Sequence, residues 1–498
     1  MMRTLISIVL LLSALSAFGA SRYVATNGND SGAGTIGEPW RTVQRGLTGT
    51  LSGDLLLIGP GNYPEFVSTV RAGTNGQRVT IDGQGAATVK RFYMSAGHSN
   101  TTLQNLTISG ETNWYSRMLY IDHRTHFSVI SNCDVNLAGA AKVTGVYWRP
   151  GTVIPFSEDT GSDILFISNR VRNSTGYILM SVQGNRNIIQ GNFLSDAPQG
   201  DFFNIWGRSN RIVGNICSNL PYAVGLGNHP DFIQTFGNNG VGSTGHIIER
   251  NLVCGVEGGQ LSQLSAALMP EIGDWTFRNN IFWRIQLQGS CTIPNIRYYN
   301  NLFIQCDFAY GHALTFGYRF YNVAGTPNGG IGTDYADGSQ VLNNIFLDCG
   351  DSSISRGWYS FTGQTNRALT NIAANFNYVA KANYQPVKVD TLERNVGDPG
   401  GWNSFAWWED NGINGNGTAV FEDYLAGNFL LTTNSPVLNA GTNLSGLFTN
   451  DYFGNPRTGW NIGPFEAGAD LGGGGGGTPQ GRLGRVSNLR VGTINIIE

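Results

Sequence analysis

Charge is what this chain has least of. Asp, Glu, Lys and Arg make up only 13% of its 498 residues, and lysine occurs at just four positions, 90, 142, 381 and 388. The 31 basic and 34 acidic residues nearly cancel, giving a net charge of −3. So weak and balanced a field excludes nucleic acid or an anionic membrane surface as the main partner. Past residue 20 no apolar run is long enough to cross a bilayer, so no membrane span is expected. The six cysteines (133, 217, 254, 291, 306 and 349) contain no Cys-x-x-Cys and no cysteine–histidine cluster, which excludes the common metal frameworks. Helical periodicity is missing between the apolar strings, which excludes a helical or leucine-rich repeat.

Glycine is abundant, at 69 residues, and asparagine runs throughout. That composition suits many short strands joined by tight turns. Residues 1–20 read as a secretory leader. Arg3 gives the positive start, Leu5 to Leu15 the apolar run and Ala17 to Ala20 the small-residue cleavage region. The expected location is therefore secreted, extracellular or at the cell surface, and in an exported chain the cysteines are free to pair. Cys306 and Cys349 end near-identical strings, and Ile285 fills the same slot in a third. The slot therefore faces the core, with the two cysteines either buried thiols or a bridge between stacked turns.

From about residue 100 a unit recurs: a short apolar strand with an internal asparagine. The asparagines fall at 105, 132, 169, 192, 215, 251, 280, 301 and 344. The shortest spacings, 21 to 23 residues, match one bare coil, and the longer ones carry loops. A period in that range signals a solenoid. Asparagine suits the corners because it tolerates the left-handed backbone region, and its amide can bond to the next coil. The division expected is a cap and first coils over 21–100, containing a short helix within 39–48, then repeats over 101–390. A closing segment over 391–470 and a glycine-rich linker with a short tail over 471–498 complete it.

One string occurs three times within the repeats. Asp201-Phe-Phe-Asn-Ile-Trp-Gly207 matches Asp231-Phe-Ile-Gln-Thr-Phe-Gly237, and Glu257-Gly-Gly-Gln-Leu-Ser-Gln263 is a looser copy. Stacked, they place Asp201, Asp231 and Glu257 in one row and Asn204, Gln234 and Gln260 in another. Acids that close raise one another's pKa unless a cation intervenes. The row is therefore a candidate calcium site or a proton-sharing acid–base pair. An acid at a strand start is also commonly a plain turn residue. Trp206 and Phe236 share a column two residues beyond the amides, where they either stack on sugar rings or pack in the core. Loops flanking the row carry Lys142, Arg149 and His229, and Arg208 follows the first copy.

The repeated Asn-x-Phe/Ile strands resemble right-handed parallel β-helix proteins of the pectate-lyase-like superfamily. The opening Tyr23-Val-Ala-Thr-Asn-Gly-Asn-Asp-Ser-Gly32 and Pro39-Trp-Arg-Thr-Val-Gln44 are similar to the start of many secreted bacterial members. Ser435-Pro-Val-Leu-Asn-Ala-Gly-Thr442 and Asn461-Ile-Gly-Pro-Phe-Glu466 resemble their closing block. The resemblance implies an all-β, right-handed parallel β-helix solenoid with an N-terminal cap, acting as a monomer on a polysaccharide. His229-Pro-Asp-Phe-Ile-Gln234 is similar to His-x-Asp-x-Ile-Gln strings in β-helix proteins that act on polysaccharides.

Three functions stay open, because this fold hosts unrelated chemistries. The leading one is a lyase cleaving uronic-acid polymers by β-elimination. Calcium on Asp201, Asp231 and Glu257 would then neutralise the uronate, and His229 would be the base. Asn204, Gln234, Gln260, Trp206, Lys142, Arg149 and Arg208 would hold the sugar. Many lyases of this fold use lysine or arginine as base, and lysine is missing between residues 143 and 380. The second is a glycoside hydrolase, which needs only two carboxylates at a suitable separation. The third is a glycan-binding surface protein without catalysis.

Overall fold

A computed structural model describes residues 19–111, 117–138, 143–148, 161–174, 178–197, 200–219, 230–236, 242–264, 272–306, 312–316, 318–322, 331–349, 352–356, 359–360, 373–380, 387–389, 392–394 and 409–466. The expected leader, apart from its last two residues, lies outside the described residues. So do the glycine run and the tail.

Nearly every strand pairs not with its neighbour in sequence but with the strand one coil away, in parallel. Three columns result. Sheet A runs through Val129–Ser131, Leu165–Ile167, Ile188–Gln190, Arg211–Val213, Ile247–Glu249, Thr276–Arg278, Arg297–Tyr299 and Gln340–Leu342. Sheet B runs through Asp134–Asn136, Arg170–Arg172, Phe193–Ser195, Ile216–Ser218, 252–256, 281–285, Leu302–Ile304, Ile345–Leu347 and Tyr378–Ala380. Sheet C runs through 91–94, Arg117–Ile121, Thr144–Trp148, Met180–Val182, Phe203–Ile205, Asp231–Thr235, 260–264 and 287–291. This is a parallel β-helix, and 33 of its described strands join into one network.

The corner between sheets A and B shows what the asparagines do. The backbone N–H of each ladder residue donates to the side-chain oxygen of the next, from Asn169 through Asn192, Asn215, Asn251, Asn280, Asn301 and Asn344 to Asn377. Their Nδ2 groups donate inward to carbonyls such as Ile248 O and Phe277 O. Buried amides thereby satisfy one another and the corner backbone. At the last rung Glu409 replaces asparagine, accepting from Asn377 N and Nδ2 at 3.3 and 2.6 Å.

The left-handed turn falls one residue earlier, on Ser168, Gly191, Gly214, Arg250, Asn279, Asn300, Asn343 and Phe376. Turn and ladder are thus two jobs for two adjacent residues. Asn105 and Asn132, expected in the same column as the others, are themselves left-handed corner residues with φ of 54° and 52°. The ladder slot beside Asn132 holds Cys133, whose N–H donates to Asn169 Oδ1. The double asparagines of the later coils follow from this split. The second of each pair joins the ladder, while the first turns the chain and reaches outward. Asn279 Nδ2 donates to Asn450 O, Asn300 Nδ2 to Asn461 O and Asn343 Nδ2 to Thr442 O.

Those outward bonds fasten the closing segment. Val420, Phe421, Phe429, Val437, Ile462 and Phe465 form a second core on the outer side of sheet B with Leu252, Ile281, Leu302, Ile304, Ile345 and Leu347. Phe282, Phe303 and Phe346 fill the inside of the same strands. Buried on both faces, these strands read as unbroken apolar runs such as Leu-Phe-Ile. At the other end the helix Val43–Gly49, N-capped by Thr42, buries Val43 and Leu47. It closes the first coil, which would otherwise leave an open end.

All six cysteines are free thiols, so no Cys306–Cys349 bridge forms. Cys306 and Cys349 point into the core at the ends of adjacent sheet B strands, each donating to a carbonyl of the preceding coil.

Candidate functional site

With sheet B covered, sheet C carries the outer face that looks most like a binding surface. Register places Tyr93 against Tyr120, Tyr120 against Tyr147, Tyr147 against Ser181 and Ser181 against Asn204. The row continues through Gln234 and Gln263 and the positions of Ser290, Thr315 and Ser355. Strand alternation turns the row from Tyr93 to Gln263 away from the core, and within it Ser181 and Asn204 are covered, at 2% and 1% exposure, while the three tyrosines, Gln234 and Gln263 are half-buried. The neighbours of the three tyrosines, Phe92 and Met94, Leu119 and Ile121, and Val146 and Trp148, are all buried.

The upper part is an aromatic ladder. Tyr93 and Tyr120 have ring centroids 4.7 Å apart, and Tyr120 and Tyr147 5.5 Å apart. The Arg117 guanidinium lies 4.2 Å from the Tyr147 ring centre and 5.5 Å from that of Tyr120. The Tyr93 hydroxyl donates to Asp122 Oδ2. The other oxygen, Oδ1, takes the backbone N–H of His123 and lies 2.7 Å from its Nδ1. Burial alone would raise the Asp122 carboxyl, but the hydrogen bonds from Tyr93 and His123 outweigh it and hold it below the ordinary range. In the tautomer with its proton on Nδ1, His123 donates to this carboxylate and turns Nε2 to accept.

Lower down, the row turns to amides. Asn204 Nδ2 donates to Asp201 Oδ2 at 2.9 Å, and the Asp231 backbone N–H donates to Asp201 Oδ1 at 2.9 Å. Gln234 and Gln263 bond side chain to side chain. Asp201 and Asp231 do occupy adjacent coils in the expected alignment, since Asn204 pairs with Gln234.

The third copy does not stack as expected. Asp231 pairs with Gln260 and Gln234 with Gln263, so the string is offset by three residues. Glu257 lies instead where the strand Leu252–Leu264 shifts register between sheets B and C. The acidic row thus continues as glutamine. Both oxygens of Asp201 are engaged, and Asp231 is 0% exposed. Among the described residues no group of three or more His, Cys, Asp or Glu side chains is placed to hold a metal ion.

The remaining candidates separate. Trp206 is 2% exposed and its indole N–H donates to Phe236 O at 2.9 Å, so it belongs to the core and is not a sugar platform. Phe236 packs edge-on against it and is 38% exposed. Arg208 joins a short fourth sheet beyond the far end of strand Phe203–Ile205 from Asp201. Lys142, Arg149 and His229 lie outside the described residues. Sequence reasoning missed Tyr93, Arg117, Tyr120, Asp122 and His123, and noted Tyr147 only as part of the insertion between Asn132 and Asn169. One signal was present: Tyr93, Tyr120 and Tyr147 are spaced by 27 residues each time, the same interval that separates Asn105 from Asn132.

The fold and this face together define a solenoid whose sheet C carries tyrosines at one end and the Gln234–Gln263 amide pair further along. No protein-family model matches the chain, and no curated protein does. Among solved structures it is similar to pectate lyase Pel9A, at 16% identity and TM-score 0.45 over 91% of this chain and 98% of that one. It is also similar to XylC in complex with xylose, at 10% identity and TM-score 0.43 over 89% and 98%. A third is the family 6 polysaccharide lyase Pedsa3628 from Pseudopedobacter saltans, at 15% identity and TM-score 0.43 over 73% and 87%.

Proposed function

We propose that this is an exported, carbohydrate-active protein that binds a polysaccharide along the outer face of sheet C and cleaves uronic-acid-containing chains by β-elimination. The observation that carries the reading is the outward row from Tyr93 through Tyr147 to Gln263. A sugar ring offers an apolar C–H face and a rim of hydroxyls. Tyrosine rings suit the first, and Asn and Gln amides, each with donors and an acceptor, suit the second. Repeating at about 4.8 Å per coil, the row fits a long chain lying along the axis better than a compact ligand.

Elimination is favoured over hydrolysis because a hydrolase needs two accessible carboxylates. Asp231 is enclosed, and both oxygens of Asp201 are occupied within the fold. The proton step calls instead for a base. His123, held by Asp122, is one candidate, and His229, two residues before Asp231, is the other.

The test is the ultraviolet absorbance of the new C4=C5 double bond when purified protein meets a panel of uronic-acid polymers, with calcium and with chelator. Rising absorbance that falls at least about 100-fold in His123→Asn or in His229→Asn, in line with the usual contribution of a general base, supports the reading and names the base. New reducing ends without absorbance would replace elimination by hydrolysis. Binding without either product would leave a glycan-binding protein.

A further inference from the structure

Five of the arginines that line the coils bind a carboxylate. Arg172 binds Asp134, Arg186 binds Asp163, Arg211 and Arg278 share Glu249, and Arg297 binds Asp274. Arg170, by contrast, has no carboxylate partner among the described residues and lies 5.7 Å from the centre of the Phe193 ring. Arg117 has no carboxylate partner among the described residues. Its guanidinium lies over the rings of Tyr120 and Tyr147 instead. Stacking fixes the plane of the guanidinium and leaves its edge, with its fork of N–H donors, for another group.

The surroundings reinforce this. On the preceding coil Arg91 Nε donates to Arg117 O at 3.0 Å. Arg91 and Lys90 both lie over the Phe66 ring, at 5.3 and 4.8 Å. Phe66 is exposed and pairs in register with Arg91 on sheet C. Lys90, Arg91 and Arg117 therefore gather at one end of a face whose lower part is uncharged amide. Of the three, Arg91 is countered by Glu111, at 3.6 Å.

We infer that Arg117, planted on Tyr120 and Tyr147, is a specificity-determining anchor that selects chains carrying an anionic group, a carboxylate or a sulfate, on the sugar stacked beside it. The inference rests on the reading of sheet C as a polysaccharide site and adds to it the residue that tells an acidic chain from a neutral one. Its position adds a length requirement. Tyr147 lies three coils from Gln234, about 14 Å at the spacing of parallel strands. A chain must span that distance to reach both the anchor and the amides.

The test measures binding of intact protein to three immobilised polymers: an uncharged glycan, a polyuronate and a sulfated glycan. Wild type is compared with Arg117→Gln, which keeps much of the bulk and removes the charge, and with Arg117→Lys. Wild type should prefer one of the acidic polymers. In Arg117→Gln the ratio of acidic to uncharged binding should fall at least about tenfold, as expected for a lost charge-assisted pair. Arg117→Lys should lie between the two, because lysine keeps the charge and loses the planar fork. The acidic polymer that responds identifies carboxylate or sulfate. Equal binding of acidic polymers by wild type and Arg117→Gln would overturn the anchor and leave the sheet C reading standing. Failure of wild type to bind any glycan would overturn the sheet C reading itself. Should Arg117→Gln not fold, Arg117→Lys carries the comparison alone, and an unchanged preference there would count against the planar fork.

Discussion

Removing one side chain from the middle of the asparagine ladder should cost far more than its size suggests. Asn280 is fully buried, and its side chain serves two neighbouring coils. Its Oδ1 accepts from Asn251 N at 2.9 Å and from Asn251 Nδ2 at 3.0 Å. Its Nδ2 donates to Ile248 O and to Asn301 Oδ1, both at 2.9 Å. In Asn280→Ala the Asn251 N–H, one hydrogen of its amide and the Ile248 carbonyl lose their partners, whereas Asn301 Oδ1 keeps the backbone donor of residue 280. At about 1–3 kcal/mol for each buried polar group left without a partner, the loss is about 3–9 kcal/mol. Whole domains are commonly stable by only about 5–15 kcal/mol. Asn169→Ala, at the start of the ladder, orphans only Cys133 N and Ile130 O and should cost about 2–6 kcal/mol on the same scale. Asn411 is exposed, and its replacement by alanine should stay within about 0.5 kcal/mol. The assay is urea unfolding followed by tryptophan fluorescence, since Trp275 is buried one strand before Asn280. Midpoints are the quantity to compare, because a stacked repeat need not unfold in one step. If Asn280→Ala and Asn411→Ala unfold at the same urea concentration, the ladder does not hold the corner and the argument fails.

Two further outcomes follow from buried groups elsewhere. Burial pushes the Glu409 carboxyl, at the foot of the ladder, up to about 8 from 4.5. Between those values the folded protein holds a proton that the unfolded chain releases. Stability from this group is therefore fully present below pH 4.5 and is lost as pH rises through 8, by about 5 kcal/mol at most. Glu409→Gln should flatten urea midpoints measured across that window, and an unchanged slope would refute the assignment. The six cysteines should resist a thiol reagent in the folded protein, since burial pushes Cys133, Cys254 and Cys291 up to about 12. All six should react once the chain is unfolded without reductant; four reactive thiols would instead reveal a bridge.

Much of the architecture was legible in the order of residues. A corner every 21 to 43 residues, each marked by asparagine, leaves little but a solenoid. Unbroken runs such as Leu302-Phe-Ile304 report burial on both faces, and the closing block signals the cover over one of them. Thr42 ahead of Val43 marks the capping helix, which the structure places at Val43–Gly49 instead of within 39–48. These are local properties: turn tendency, apolar content and capping chemistry act within a few residues.

What the sequence could not decide is register and direction. Asn105 and Asn169 look alike in their strings, yet one turns the chain and the other joins the ladder, a difference of a single position. Glu257 looks like a third copy of Asp231, but three residues are taken up in the bend from sheet B to sheet C, and Gln260 arrives in its place. Trp206 sits in the right column to meet a sugar and turns into the core. Tyr93, Tyr120 and Tyr147 share no string, and only stacking brings their rings together, the last two beneath Arg117. A parallel coil joins residues more than twenty positions apart, and each loop resets the count. Which side chains become neighbours on the open face is therefore settled only when the coils close on one another.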